Sequence, residues 1–424
     1  MTEELLHYLW KFRMYKPELY MTQDGQSMEI INPGIPNNDA GPDFFNAKIK
    51  IGETLWAGNV EIHLKSSDWN RHKHQNDKAY DNVILHVVSE YDAPVQTSSG
   101  GIVQTWTMPI EQWHISNYNS LVETAAKIPC SNNLKNIAPF EISAWIERMA
   151  IEKLENKTVY IRQLLDNCTN DWANVFYVLL ARNFGFGINS EPFEQLARQT
   201  PWTIVLKNID NIKSLEALFL GQAGFLNDSI HEDKYIQELA DEYKFLRHKY
   251  NLTPVLQHQW KFLRLRPFNF PTIRLMQFVQ LIYKNKLSID IILNEENIQN
   301  IHNLLKIKPS TYWKTHFRPN AESPESKKEL GNSSKDLIII NTIIPFLFAY
   351  GKLRGIEKQC DKAFLWLQSL KPERNSILNN WKDSGIEADC ALQSQALIHL
   401  NRNYCVLRKC LMCRIGHLVI SKKY

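Results

Sequence analysis

Within roughly the first 110 residues short segments alternate apolar and polar residues in steps of two, and from about Pro129 onward apolar residues recur at three- and four-residue spacing. That switch requires an early sheet and a late set of helices, because strand side chains repeat every two residues and helical ones about every 3.6. TEELLHYLWKF carries Leu5, Leu6, Leu9, Trp10 and Phe12 as a helical stripe, with Pro17 limiting its length. SMEIINPG, FFNAKIKIG and LWAGNVEIHLK then read as strands separated by turn formers, Asn37-Asn38-Asp39-Ala40-Gly41-Pro42 and Gly52-Glu53. In FFNAKIKIG the alternation sets Phe45, Ala47, Ile49 and Ile51 on one face. A polar stretch, SSDWNRHKHQNDKAYDN, leads as helix or loop to VILHVV, whose unbroken apolar run suits a buried strand, and IVQTWTM adds one more.

Four later segments have helical spacing: AWIERMAIEKLENKTVYIRQLL, DWANVFYVLLARNFG, DKYIQELADEYKFLRHKY and PTIRLMQFVQLIYKN. Gly185 and Gly221 stand where C-caps are expected, Asn170 or Thr169 where an N-cap is, and RPNAESPESKKELGNSSKD reads as an exposed loop. The fold class is therefore α+β, with an α/β domain over 1–115, a helical domain over 116–318 and a helical C-terminal region over 336–424. With 44% hydrophobic and 22% charged residues, disorder and coiled coil are excluded for the whole chain. A net charge of +4 permits nucleic-acid binding without arguing for it. No apolar run reaches the roughly 18 residues of a membrane helix. Seven cysteines, an odd number, suit a reducing compartment, and a cytoplasmic location is expected.

Asp43 opens one strand directly after a turn, and Glu61 lies on the next, antiparallel strand. Two carboxylates on adjacent strands can hold a hard cation such as Mg²⁺ or Mn²⁺. Alternation puts His63 and Lys65 on the face of Glu61, where a basic group can orient a water for attack on phosphorus. Helix, three strands, helix or loop, strand, with Pro42-Asp43 at one strand start and Glu61-Ile62-His63 on the next, resembles the PD-(D/E)XK nuclease superfamily. The resemblance covers about a quarter of the chain. It implies an αβββαβ core, Asp43 and Glu61 as metal ligands, a carbonyl donor at Ile62, and metal-dependent hydrolysis of DNA or RNA. His63 stands at the usual lysine position, a departure that lowers fixed positive charge, with Lys65 as a possible substitute. The whole chain also resembles an uncharacterised bacterial family. The alternative is a non-catalytic nucleic-acid-binding or assembly protein. An Asp after Gly-Pro and a Glu alternating with aliphatics also suit a turn and a solvated sheet face.

Four of the thirteen histidines, His63, His72, His74 and His86, lie within 24 residues. His72 and His74 could form a metal pair if extended, could serve a different hydrolase site with Asp68 and Asp77, or could line the nucleic-acid approach. His86, inside VILHVV, reads as a core residue. At the other end, Cys405, Cys410 and Cys413 form a thiolate knuckle, with Cys130 or His417 as a fourth ligand. Zn²⁺ fits a closed structural site there. An iron–sulfur cluster is the second option, since some nucleases of the resembled superfamily carry one early and three late cysteines. Arg264, Arg266 and Arg274, with Asn269 or Thr272 near a helix start, make a candidate phosphate-binding stretch. Residues 402–424 carry six Lys and Arg and no acid, a second basic patch.

Overall fold

The computed structural model describes residues 1–15, 20–226, 233–286 and 288–423. The chain folds into two compact units, one of Met1–Ile146, Asn379–Glu387 and Ile398–Tyr424, the other of Glu147–Leu378 and Ala388–Leu397. The boundaries read from sequence, at 115 and 318–336, do not coincide with these, because the last residues of the chain pack back onto the first unit.

The first unit opens with helix α1 (Glu3–Lys11), capped by Thr2, whose hydroxyl accepts from Leu5 N at 3.3 Å. Glu3 and Glu4 in its first turn and Lys11 in its last complement the helix dipole. Its stripe of Leu5, Leu6, Leu9 and Trp10 is fully buried, each worth about 2 kcal/mol of hydrophobic transfer. The helix ends at Lys11; Pro17, expected to bound it, lies outside the described residues.

Seven strands follow: β1 (Tyr20–Met21), β2 (Ser27–Asn32), β3 (Ile35–Pro36), β4 (Phe44–Ile51), β5 (Thr54–Lys65), β6 (Val83–Glu90) and β7 (Thr105–Thr107). The sheet order is β1-β2-β4-β5-β6-β7, with β3 also paired to β4. Pairing is antiparallel as far as β5, then parallel from β5 to β6 and from β6 to β7. A parallel return needs a crossover. Residues 66–82 supply it, with the short helix α2 (Asp68–Arg71) and 3₁₀ turns at His74–Asn76 and Lys78–Tyr80.

One register expectation fails in β4. Phe44 pairs with Val60 but Ala47 with Gly58, so β4 carries one extra residue, and Asn46 takes a left-handed φ of 57°. This bulge turns Phe44, not Phe45, into the core beside Ala47. Asn tolerates that conformation because its short side chain relieves the steric conflict.

After α3 (Gln112–Val122), α4 (Pro139–Asn167) begins in the first unit and continues into the second. The second unit is helical: α5 (Trp172–Phe184), α6 (Ser190–Gln199), α7 (Trp202–Asn208), α8 (Ile212–Gln222), α9 (Lys234–Tyr250) and α10 (Pro271–Asn285) come first. The N-cap of α5 is Asp171, whose Oδ1 accepts from Ala173 N and Asn174 N, whereas Thr169 and Asn170 form the preceding left-handed turn. Gly221 is not a C-cap. It lies inside α8 against the Tyr243 ring, where an added Cβ would sit 2.1 Å from a ring carbon, and the chain turns instead at Gly224 with φ of 73°.

The stretch read as an exposed loop contains a small hairpin, His316–Arg318 with Ala321–Glu322, and the start of a helical run at Asn332. An 18-residue window of that run, Asn332–Arg354, has a mean hydropathy of 1.5, so the run meets the length and composition of a membrane span, whereas no such run is expected from the sequence pattern. Two-thirds of it is buried in the unit's interior, as in the core helix of a folded domain. The chain then returns to the first unit. The C-terminal helix over Arg414–Ile420 lies against α3, with Ile420 O 2.8 Å from His114 Nδ1 and Asn117 donating to Val419 O and Lys422 O.

Candidate metal centre

Asp43 and Glu61 lock each other in place. Asp43 N donates to Glu61 Oε2 at 3.1 Å, and Ile62 N donates to Asp43 Oδ2 at 2.9 Å. Glu61 is only 4% exposed, so it lies inside the unit and not on a solvated sheet face.

Imidazoles from three elements surround the pair. His63 and His74 place Nε2 at 3.5 and 3.2 Å from Glu61 Oε1, and His7 of α1 places its own at 3.4 Å from Asp43 Oδ2. His63 Nε2 is 3.1 Å from His72 Nδ1. Among the described residues, His63, His72 and His74 are the set of three whose ligand atoms all lie within 4.8 Å of one another.

The convergence of His72 and His74 depends on the residue between them. Lys73 is left-handed, with φ of 66°, so neither an extended strand nor a regular helix describes the segment. Tyr80 stacks on His74 with ring centres 3.8 Å apart, and Trp69 is wholly buried beneath it. His86 is more than a core residue. It stands opposite Glu61 in the parallel register and brings Nε2 to 2.8 Å from His63 Nδ1, fixing that ring's orientation.

Burial governs the electrostatics. It pushes the Glu61 carboxyl up to about 8. It also raises Asp43, to about 6, with the neighbouring Glu61 charge adding to the effect. Burial drives the His63 pKa far down, assisted by His86 and His72, and takes His86 to about 3. His74 is lowered for the same reason. Near neutral pH the site thus holds His63, His74 and His86 uncharged beside a Glu61 carboxyl that resists ionisation. A divalent cation would reverse the carboxyl preference, and the neutral imidazoles are already in the form that ligates a metal. The residues fit such an ion: His7 Nε2 and His74 Nε2 are buried, make no hydrogen bond and face the carboxylates, and mixed oxygen and nitrogen donors suit Mn²⁺ or Zn²⁺ better than Mg²⁺.

Lys65 is not brought to the carboxylates. Its amine lies 3.1 Å from Glu90 at the exposed end of β5, held by the cross-strand register. His7, by contrast, was not singled out from the sequence. Its only local signal is a four-residue spacing from Glu3 on α1, and Glu3 Oε1 lies 3.9 Å from His7 Nε2.

The four cysteines of the second cluster, Cys130, Cys405, Cys410 and Cys413, are all buried and line one small cavity. A π-helical turn, Asn401–Cys405, delivers the first thiol of the loop. Cys413 begins the last helix, and the Ile415 and Gly416 amides donate toward its sulfur. Gly416 is required there, since an added Cβ would lie 2.1 Å from Cys410 O. Burial raises every one of these thiols, Cys410 to about 11, so without a metal they are held protonated. His417 is engaged elsewhere, with Nδ1 2.7 Å from the Tyr8 hydroxyl. The nearby basic patch is partly used internally: Arg408 donates to Thr124 O and Ala126 O, and Arg414 pairs with Glu141 at 3.1 Å.

The three arginines of the other candidate stretch separate. Arg264 and Arg266 are exposed, whereas Arg274 is buried in the first turns of α10. No curated protein and no solved structure matches the chain. Residues 3–376, which include the histidine–carboxylate cluster and Cys130, match the family described as Protein of unknown function (DUF2851), and the chain belongs to that family.

Proposed function

We propose that this protein is a metal-dependent nuclease hydrolysing phosphodiester bonds of DNA or RNA, with Asp43 and Glu61 as carboxylate ligands. The observation that carries this reading is the interlock of those two carboxylates with His7, His63 and His74 placing ring nitrogens within 3.5 Å of them. The antiparallel β2-β4-β5 arrangement followed by a parallel β6 agrees with the αβββαβ order that the PD-(D/E)XK resemblance implies. Bound there, Mn²⁺ or Mg²⁺ would supply positive charge at the phosphoryl group and acidity to a neighbouring water. His63, kept neutral by burial and oriented by His86, would orient the attacking water by a hydrogen bond. His72 and His74 line the approach, and the Ile62 carbonyl is a further oxygen donor.

Cys130, Cys405, Cys410 and Cys413 form a closed structural metal site in this reading, taking Zn²⁺ or an iron–sulfur cluster. Around a single zinc ion, sulfurs lie roughly 3.8 Å apart, given Zn–S bonds of about 2.3 Å. No three of the described cysteine sulfurs fall within 4.8 Å of one another, so zinc requires the loop to draw in. Metal analysis together with the visible absorption spectrum separates the two. All seven cysteines are free, in keeping with a reducing, cytoplasmic setting.

A second reading, a non-catalytic nucleic-acid-binding or assembly protein, is favoured by the engagement of Lys65 with Glu90, which keeps that amine from the carboxylates. The deciding experiment assays wild type, Asp43→Asn and Glu61→Gln on mixed DNA and RNA substrates with Mn²⁺ and with Mg²⁺. Cleavage by wild type, faster with Mn²⁺ and lost in both folded variants, supports the nuclease. Nucleic-acid binding without cleavage under any metal supports the second reading.

A further inference from the structure

We propose that the second unit holds a binding site for a small oxyanion, a phosphate or carboxylate carried on a compact aromatic body, with Arg274 as its counter-charge. This rests on nothing assigned to the histidine–carboxylate cluster.

Arg274 is 7% exposed, yet all its hydrogen-bond partners are neutral. Nη1 donates to Gln277 Oε1 at 3.0 Å, and Nη2 donates to Asn269 Oδ1 at 2.6 Å and to Ser334 Oγ at 3.1 Å. Nε is buried with no partner. Among the described residues no carboxylate pairs with this guanidinium, and burial alone pulls its pKa down, to about 10. A buried cation without a counter-charge is among the more costly arrangements in a folded chain.

Arg274 lines a cavity of about 250 Å³ with Phe184, Phe186, Ile188, Phe193 and Leu265. The guanidinium carbon lies 4.1 Å from the centre of the Phe186 ring. Phe186 is itself left-handed, with φ of 45°, a conformation unusual for a bulky residue. Pro271 brings the cavity to the first turn of α10, which has no capping side chain. One cation with a spare N–H, an uncapped 15-residue helix start and a wall of aromatic rings together select a ligand with one anionic end and one apolar end.

The test is titration calorimetry of the full chain with phenyl phosphate, benzoate, inorganic phosphate and the neutral control benzyl alcohol. The expected result is that phenyl phosphate or benzoate binds about ten-fold or more tighter than inorganic phosphate, with benzyl alcohol silent. Which of the two binds tighter separates a phosphate from a carboxylate ligand. Arg274→Gln is expected to abolish binding. Arg274→Lys keeps the charge but loses the planar fork, and is expected to weaken binding about ten-fold. Phe186→Leu is expected to erase the advantage of the aromatic anion while inorganic phosphate binding persists. If Arg274→Gln does not fold, the Lys and Leu variants carry the test. Absence of anion binding to wild type, or binding unchanged in the arginine variants, overturns the proposal.

Discussion

The two candidate metal centres of the first unit are both buried, both rich in ligands and both costly without a cation, yet they are built in opposite ways. The histidine–carboxylate centre draws its groups from α1, β5 and the crossover, with backbone amides locking the two carboxylates. The thiol centre draws three of its four ligands from one nine-residue loop, closed by a glycine at Gly416 and tied down by Arg408. The first has acid–base groups on hand and mixed donors, as a site that works on a bound substrate requires. The second offers sulfur only, as a site that holds a chain end in place requires. Removing a ligand should therefore cost folding in one centre and chemistry in the other.

The largest effect is expected at the thiols. Cys413→Ser or Cys405→Ser should strip the metal and destabilise the first unit by about 3 kcal/mol or more, read as a fall in Tm together with loss of metal by elemental analysis. A variant that keeps its Tm would remove the structural role and with it the contrast.

Next in size is the loss of chemistry. His63→Gln should lower Mn²⁺-dependent cleavage by about a hundred-fold or more while Tm changes little, whereas Lys65→Ala should stay within about two-fold. The reverse order in a single-turnover assay would return the catalytic role to the lysine.

A smaller, pH-dependent effect follows from the raised carboxyls. A carboxyl raised on folding binds its proton more tightly in the native state, so its contribution to stability is lost as pH rises through the folded pKa. Below about 6.5 the buried histidines, lowered from that value, act in the opposite sense and oppose Asp43 and Glu61. Between about 6.5 and 8 Glu61 still holds its proton more tightly in the native state, so Tm measured with a chelator present should fall over that window. Glu61→Gln should flatten the slope, and Mn²⁺ should flatten it in wild type. The smallest effect is expected at the surface: Arg414→Ala breaks a half-exposed pair with Glu141 and should cost no more than about 0.5 kcal/mol by chemical denaturation.

The sheet and the main helices were legible because their periodicity is local; Glu61 was legible as a strand position and Asp43 as the residue between a turn and the next strand. What was not legible depends on backbone turns or on distant partners. The left-handed Lys73 brings His72 and His74 together, and the left-handed Asn46 decides that Phe44 is the buried phenylalanine. His7 enters the site only once α1 has packed, and His86 becomes the partner of His63 only through parallel register. Lys65 shares a face with Glu61 by alternation, but one further pleat carries it to the exposed end of β5 and to Glu90. The return of residues 398–424 to the first unit has no local signature beyond the early Cys130 waiting for three late thiols.

The most direct measurement is anomalous diffraction from crystals soaked in Mn²⁺. A peak bonded to both Asp43 and Glu61, with His7 or His74 as a further ligand, is the expected result. A peak held by His63, His72 and His74 without either carboxylate, or no peak near Glu61 at saturating Mn²⁺, would contradict the proposed centre.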